Sequence, residues 1–171
     1  MEIGVPYFYT ATILKWQKLL KPDKYKQIII ESLRYLVSKK KIKVFAFVIM
    51  PNHIHLVWTM LEKNGKELPH ASFMKYTAHL FLEDLRKNHP KVLPFFLVDT
   101  ITRKYHFWQR NSLPIALYSD KVWQQKIAYI HNNPIISKWS LADVPENYRF
   151  SSAKFYQEGI DEFGILTHWK E

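Results

Sequence analysis

The chain has 171 residues, of which 47% are hydrophobic and 16% aromatic, enough apolar material for one domain with a sizeable core. Lysine and arginine outnumber aspartate and glutamate by 25 to 15, so the net charge is +10 and a polyanion is the expected partner. The chain contains no cysteine, which excludes disulfides, thiolate nucleophiles and zinc–cysteine sites.

The sequence also argues against a membrane as the polyanionic partner. No apolar run approaches the roughly 20 residues that a membrane-spanning helix needs, and no amphipathic helix with a basic face dominates the chain. No charged and then apolar leader precedes the first predicted strand. We therefore expect a cytoplasmic, nucleoid-associated protein whose partner is nucleic acid.

The first part of the chain predicts a strand, a helix and then two more strands. Residues 5–14 are rich in β-branched and aromatic side chains, which is typical of a strand. Pro22-Asp23 is expected to open a helix that runs to about Val37, because apolar side chains recur at helical spacing. Residues 44–60 predict two apolar strands joined by a turn at Pro51-Asn52.

The second part predicts two more helices with a strand between them. A helix is expected from about Ala71 to Lys87, and a flexible excursion between elements at 91–103. Residues 104–109 predict another strand. A third helix is expected from a cap at Ser119 or Asp120 to Asn132.

The order of these elements predicts an α+β fold in which an antiparallel sheet is flanked by α-helices. No repeat, low-complexity tract or linker divides the chain, so we expect a single domain spanning residues 1–171. Within it, residues 139–171 are expected to form a C-terminal covering segment with one short helix near 152–158.

The second strand of the central pair carries two histidines. Side chains alternate between the faces of a strand, so His53 and His55 are expected on one face, and Ile54, Leu56 and Trp58 on the face that meets a core. Two imidazoles about 7 Å apart on one strand can converge on a single cation. The alternative is that the two histidines have a purely structural role. This spacing also arises by chance, and a metal site formed by the two rings alone would lack a third ligand.

The third helix predicts a tyrosine on its polar side. At about 100° per residue, the apolar face of this helix is formed by Trp123, Ile127 and Ile130. Tyr129 lies well round from that face, beside polar and cationic residues. Asn133 ends the helix, and Pro134 disfavours helical backbone geometry at that position. Tyr129 is therefore either a half-exposed helix-edge tyrosine or a functional group.

Two motifs resemble those of one family. Met50-Pro-Asn-His-Ile-His-Leu56 is similar to the His-hydrophobic-His (HUH) motif of single-tyrosine transposases, and Tyr129-Ile-His-Asn-Asn-Pro134 resembles the Tyr-x-x-x-Asn-Pro motif of their REP-associated branch. Phe107-Trp-Gln-Arg110 lies between them, and Tyr148-Arg-Phe-Ser-Ser152 resembles the family's aromatic-Ser-Ser segment. The resemblance covers nearly the whole chain and implies the HUH endonuclease fold, with a ferredoxin-like sheet.

The resemblance implies a metal-dependent transesterification of single-stranded DNA. A divalent ion, magnesium or manganese, would be held by His53, His55 and Asn133, a position that is glutamine in many relatives. Tyr129 would be the nucleophile that forms a 5′-phosphotyrosine link and frees a 3′-hydroxyl. A phenol suits this task because it is easier to deprotonate than water and is a better leaving group than an alkoxide. No nucleotide cofactor is then required.

The implied substrate is single-stranded DNA beside a hairpin or palindromic repeat, which the protein would cleave and rejoin. Aromatic side chains would stack on the DNA bases. Lysine and arginine side chains, which are spread from Lys15 to Arg110, would follow the DNA backbone. The individual residues that contact DNA are not identified by the sequence. Ile135-Ile-Ser-Lys138 departs from the Val-Arg-Ala-Gly that often follows Asn-Pro in the family. Some relatives share active sites between subunits, so a homodimer is a further expectation.

Two other functions are compatible with the same residues. A metal-dependent hydrolase would use the two histidines and a water molecule, but it would give the tyrosine no role. A palindrome-binding protein that does not cut DNA would have the same charge and the same aromatic residues.

Overall fold

A four-stranded antiparallel sheet lies at the centre of the molecule. The computed structural model describes residues 1–102, 104–110, 112 and 114–171. The strands are β1 (Pro6–Thr12), β2 (Ile42–Ile49), β3 (His53–Met60), β4 (Leu97–Asp99), β5 (Lys104–Tyr105) and β6 (Ile115–Ala116). The order in the central sheet is β2-β3-β1-β6, with antiparallel neighbours throughout, and β4 pairs with β5 in a separate ribbon.

Helices cover both faces of this sheet. They are α1 (Asp23–Ser38), α2 (Pro69–Asn88), α3 (Asp120–Asn132) and α4 (Ala153–Glu158). Helices α1 and α2 share one hydrophobic core with the sheet, and α3 packs on the other face. The predicted α+β class is therefore confirmed, with the strand order of a ferredoxin-like sheet. None of the helices formed by the described residues has the length and apolar character of a membrane span.

Strand β3 separates the two cores. Every one of its residues is buried, because helices cover both faces of the sheet there. Ile54, Leu56 and Trp58 belong to the core shared with α1 and α2, whereas Val57 belongs to the core beneath α3. Alternation along the strand therefore places His53 and His55 together on the face opposite these three residues, as the sequence predicts, and this is the face on which α3 packs.

The segment expected to be a flexible excursion forms defined structure instead. Residues Leu93–Phe96 make a 3₁₀ turn in which Leu93 and Phe96 are buried, and β4 follows directly. The Phe96 ring packs against Phe107, with ring centroids 4.9 Å apart. Burial of these apolar side chains fixes the segment, and the sequence prediction was wrong here; Arg103, at its end, lies outside the described residues.

The strand predicted at residues 104–109 is shorter than expected. Only Lys104–Tyr105 is a strand. The residues that follow cross the end of β1, where Leu14 N donates to Phe107 O (2.7 Å) and Gln109 N to Thr12 O (2.8 Å). The fourth strand of the central sheet is instead β6, whose two residues are too few to produce an alternating pattern.

The end of α3 also differs from the expectation. Asn133 has helical backbone angles (φ −56°, ψ −44°) and begins a 3₁₀ turn, Asn133–Ile135. The predicted loss of helical geometry before Pro134 is therefore wrong. Both Asn133 and Pro134 are buried, so packing overrides the backbone preference.

Residues after Trp139 run along β2, the edge strand of the sheet. The Tyr148 hydroxyl donates to Ile49 O (2.7 Å), and Phe47 N donates to Ser152 Oγ (3.0 Å). Further along, Thr167 N donates to Val44 O (2.9 Å). These contacts occupy backbone groups of an edge that would otherwise be free to pair with another chain.

Candidate active site

The two histidines and Tyr129 line the same open pocket, of about 620 Å³, between the sheet and α3. The ring centroids of His53 and His55 are 4.7 Å apart, and the Tyr129 ring centroid is 5.2 Å from that of His55. Both histidines are buried, whereas Tyr129 is 52% exposed. The structure thus brings together three residues that the sequence singled out, and leaves the tyrosine accessible to a large substrate.

The register between β1 and β3 fixes the orientation of His55. Thr10 lies directly opposite His55, and the Thr10 Oγ1 atom is 2.7 Å from His55 Nδ1. Phe8 stacks on the same ring, with centroids 5.3 Å apart and an interplanar angle of 22°. His55 Nε2 is consequently left on the other side of the ring, where it is buried and has no hydrogen-bond partner among the described residues.

Asn52 orients His53 in a similar way. His53 Nδ1 donates to Asn52 Oδ1 at 2.7 Å. An amide oxygen can only accept, so the proton of the neutral ring is on Nδ1 and the lone pair is on Nε2. The Asn52 amide nitrogen in turn donates to Trp16 O (3.4 Å), which links the hairpin turn to the segment after β1.

Asn133 completes the polar part of the pocket. It lies at the C-terminal end of α3, is 6% exposed, and lines the pocket together with His53. Its Oδ1 atom is buried, and no residue that the structure describes forms a hydrogen bond with it. Buried polar atoms without partners are unfavourable, and two such atoms in the described part of the chain, His55 Nε2 and Asn133 Oδ1, belong to this one pocket.

This donor set is compatible with a divalent ion. Neutral imidazole nitrogen and amide oxygen are both metal ligands, and Mg²⁺ needs few protein ligands because it keeps several waters. Within the described ranges, no cluster of three or more histidine, aspartate or glutamate residues could hold a metal. Any ion at this position would therefore rely on two imidazoles and an amide.

Both histidines are held in the neutral form that a metal requires. Burial lowers the pKa of His53 to about 4, and the charge of Lys138 adds to this shift. Burial lowers the pKa of His55 to about 3, with further contributions from His53 and Lys126.

The pocket is electropositive. Lys126 Nζ lies 4.6 Å from the centroid of the Phe8 ring, and Lys138 Nζ lies 5.5 Å from the centroid of the Trp139 ring. Both lysines line the pocket, and no described residue that lines it is acidic. A cleft with one sign of charge attracts a polyanion.

His131 lies outside this pocket, on the side of α3 that faces Ser152 and Tyr156. Its Nε2 atom is 2.8 Å from Ser152 Oγ, and its ring packs against Tyr156 with centroids 5.2 Å apart. His131 thus connects α3 to the C-terminal residues and, through Ser152, to β2.

The burial of His131 predicts a pH-dependent loss of stability. Burial lowers its pKa to about 4, whereas an unfolded histidine titrates near 6.5. Between these values only the unfolded state takes up the proton, so the free energy of unfolding should fall as the pH decreases from 6.5 to 4. His131→Gln, which keeps a donor for Ser152, should reduce this dependence by up to one proton in urea unfolding measured across the window. Exposed His79→Gln is the control, and equal slopes for both variants would contradict the assignment.

Several pocket residues were not identified as site residues from the sequence. They are Phe8, Thr10, Thr12, Trp16, Lys138 and Trp139. The alternation of β1 groups Phe8, Thr10 and Thr12 on one face, but nothing in the sequence says that β1 pairs with β3. Lys126 is one of the cationic residues that helical spacing places beside Tyr129, whereas no sequence pattern connects Trp16 or Trp139 to this site.

Comparison with known proteins bears on the fold. No protein family model and no curated protein matches this chain. Its structure is similar to that of a REP-associated tyrosine transposase solved bound to a REP hairpin, with a TM-score of 0.62 and 17% sequence identity over 95% of this chain and 85% of that one. At this level of identity the similarity establishes the fold. The chain has the α+β fold of HUH transposases, in which helices flank an antiparallel ferredoxin-like sheet. This is the fold that the resemblance of its two motifs implies.

Proposed function

We propose that this protein is a metal-dependent single-strand DNA transesterase of the tyrosine transposase kind, closest in its motifs to the REP-associated branch. It would cleave and rejoin DNA at hairpin or palindromic sequences in the cytoplasm through a 5′-phosphotyrosine intermediate. The solved structural neighbour is bound to a REP hairpin, which supports hairpin DNA as the partner class. All four proposed site residues come from one chain, so a homodimer would not be needed to complete the site.

One observation carries this proposal. An exposed phenol, Tyr129, lies against His55, whose ring has a buried nitrogen with no partner in the described ranges of the chain. A structural histidine pair would have its ring nitrogens satisfied. A structural helix-edge tyrosine would also have no reason to lie in an electropositive pocket.

A divalent ion, magnesium or manganese, is the cofactor that these residues fit. His53, His55 and Asn133 would hold it through the two Nε2 atoms and the amide oxygen. When bound, the ion would polarise the scissile phosphate and offset the negative charge that develops on its oxygens. Asparagine is shorter than the glutamine of many relatives, but the helical turn at the end of α3 places Asn133 in the same pocket as His53.

The chain's own residues would carry the reaction. The Tyr129 oxygen would attack phosphorus, forming the Tyr129–phosphate bond as the bond from phosphorus to the 3′-oxygen breaks. The phenolic proton would be lost to solvent and the departing 3′-oxygen would gain one. Attack by a 3′-hydroxyl on the same phosphorus would reverse these steps and rejoin the strand, so the energy of the phosphodiester is conserved.

The surface beyond the pocket would guide the DNA backbone. Lys126 and Lys138 would contact phosphates next to the site. An adjoining pocket of about 280 Å³ crosses β1 and adds Gln109 and Arg110. The two pockets share Phe8, Thr10 and Thr12, so they form one continuous path for a single strand.

Two labels on one substrate test this function. The substrate is a hairpin with a single-stranded flank of randomised sequence, so that the recognised sequence need not be known, and it is labelled at either the 5′ or the 3′ end. With Mg²⁺ or Mn²⁺, a denaturing gel should show the 3′ label in a covalent protein adduct and the 5′ label in a free, shortened strand. EDTA should prevent both products.

The alternative functions would give different products. A hydrolase would release a 3′-labelled strand with a 5′-phosphate and would form no adduct. A palindrome-binding protein would shift the substrate in a native gel without cutting it under any metal. Either result would contradict transesterification.

Thr10 should act as a positioning residue for His55. Thr10→Val removes the hydroxyl that contacts His55 Nδ1 while keeping the shape of the side chain. Loss of such an outer partner typically weakens metal affinity roughly 10- to 100-fold. Titration with Mn²⁺ followed by electron paramagnetic resonance should show this loss. Thr167→Val, in the C-terminal segment beside β2 and away from the pocket, is the control, and equal Mn²⁺ affinities for the two variants would exclude the role.

A further inference from the structure

A tryptophan stands exposed at the edge of the pocket. Trp16 is 58% exposed, lines the pocket and meets the His53 ring edge to face, with ring centroids 6.4 Å apart. The Trp139 ring centroid lies 6.0 Å from that of His53, and Trp139 also lines the pocket. An indole ring that stays exposed to water does not contribute the large favourable free energy that its burial would give.

The backbone that presents Trp16 is unusual. Lys15 (φ 52°) and Trp16 (φ 57°) are consecutive non-glycine residues in the left-handed region, which side chains occupy only when the surroundings impose it. Two hydrogen bonds hold the turn: Trp16 N donates to Ile13 O (2.9 Å), and the Asn52 side chain donates to Trp16 O (3.4 Å). The Trp16 ring is not buried in the core, so packing of this side chain does not account for the conformation.

The contacts between aromatic rings in the pocket show where the two tryptophans lie relative to Tyr129, the proposed nucleophile. Tyr129 contacts His55, His55 contacts His53, and His53 contacts both Trp16 and Trp139. In an in-line displacement the attacking and leaving oxygens lie on opposite sides of phosphorus. A phosphate bound at the histidines and attacked by Tyr129 would therefore direct its leaving 3′-oxygen towards the tryptophan side.

We propose that Trp16 and Trp139 form a stacking site for the base of the nucleotide that carries the leaving 3′-oxygen. Bases splayed out of a strand stack on aromatic side chains whatever their sequence. Lys138, next to the Trp139 ring, adds a cation beside the same nucleotide. This site rests on the proposed function and extends it, because stacking here would hold the leaving end in place for rejoining.

The first test separates stacking from charge. All proteins in this test carry Tyr129→Phe, so that the DNA is bound but not cleaved. Binding is measured with two probes of equal length and charge: a single strand of randomised sequence, and the same sugar–phosphate backbone without bases. The natural strand should bind more tightly, and Trp16→Ala or Trp139→Ala should each lose roughly 5- to 100-fold of that affinity while binding to the abasic strand stays unchanged. Trp16→Phe should keep most of the affinity, and Tyr76→Ala, an exposed aromatic on α2, is the control.

Each other result has a defined meaning. Equal loss on both probes, or no loss, would overturn the stacking site alone. A parent protein that binds neither probe would overturn the proposed function together with it.

The second test locates the nucleotide. Single abasic positions are placed along a substrate that the protein cleaves. An abasic nucleotide immediately 5′ of the scissile phosphate should slow cleavage by the wild-type protein about tenfold and should add little to the defect of Trp16→Ala. Sensitivity confined to nucleotides 3′ of that phosphate would overturn the assignment to the leaving side.

Discussion

Tyr129→Phe is expected to abolish the covalent adduct and strand scission while leaving single-stranded DNA binding within about twofold of the wild-type affinity. The substitution removes one oxygen from a ring that is 52% exposed, so neither the fold nor the charge of the pocket should change. Loss of an enzyme's nucleophile commonly lowers the rate by three or more powers of ten. Single-turnover cleavage of the labelled hairpin, with binding measured in parallel, checks this.

Tyr118→Phe provides the matched control for that experiment. Tyr118 is 85% exposed and lies just before α3, outside the proposed site. Full activity in this variant would show that loss of a nearby surface hydroxyl is harmless. Residual adduct formation by Tyr129→Phe would show that another residue is the nucleophile.

His53→Ala and His55→Ala are expected to reduce the rate of metal-dependent cleavage by at least about 10²-fold. Their loss of affinity for DNA, relative to the wild-type protein, should be much smaller. Each removes one proposed metal ligand, whereas phosphate neutralisation by lysine and arginine supplies most of the affinity. Cleavage and DNA binding should be measured over a range of Mn²⁺ concentrations, together with Mn²⁺ binding in the absence of DNA.

His79→Ala is the control for the histidine variants, because His79 is exposed on α2 and lies on the other side of the sheet. Circular dichroism should confirm that each variant is folded. Equal losses of cleavage and DNA binding in a folded His53→Ala or His55→Ala protein would contradict the separate roles of metal and phosphate contacts.

Local patterns in the sequence were sufficient to orient the main site residues. Strand alternation predicted that His53 and His55 share a face, and helical spacing predicted that Tyr129 lies away from the apolar face of α3. Both follow from backbone geometry that short stretches of chain determine by themselves. The α+β class followed from the order of the same elements.

Long-range contacts account for most of what the sequence did not predict. The pairing of Thr10 with His55 depends on sheet order, and β6 is too short for any periodic signal. Asn133 keeps a helical backbone before Pro134 because both residues are buried, which overrides a local preference. The left-handed turn at Trp16 depends on a hydrogen bond from Asn52, 36 residues further along the chain.

Mass spectrometry of the digested adduct tests most directly whether Tyr129 is the group that bonds to DNA. Trypsin should release residues 127–138, between Lys126 and Lys138, in which Tyr129 is the one tyrosine. After nuclease treatment of an adduct formed with Mn²⁺, fragmentation of this peptide should place a 5′-linked nucleotide on Tyr129. A nucleotide on any other residue, or complete cleavage of the DNA with no modified peptide, would contradict the account.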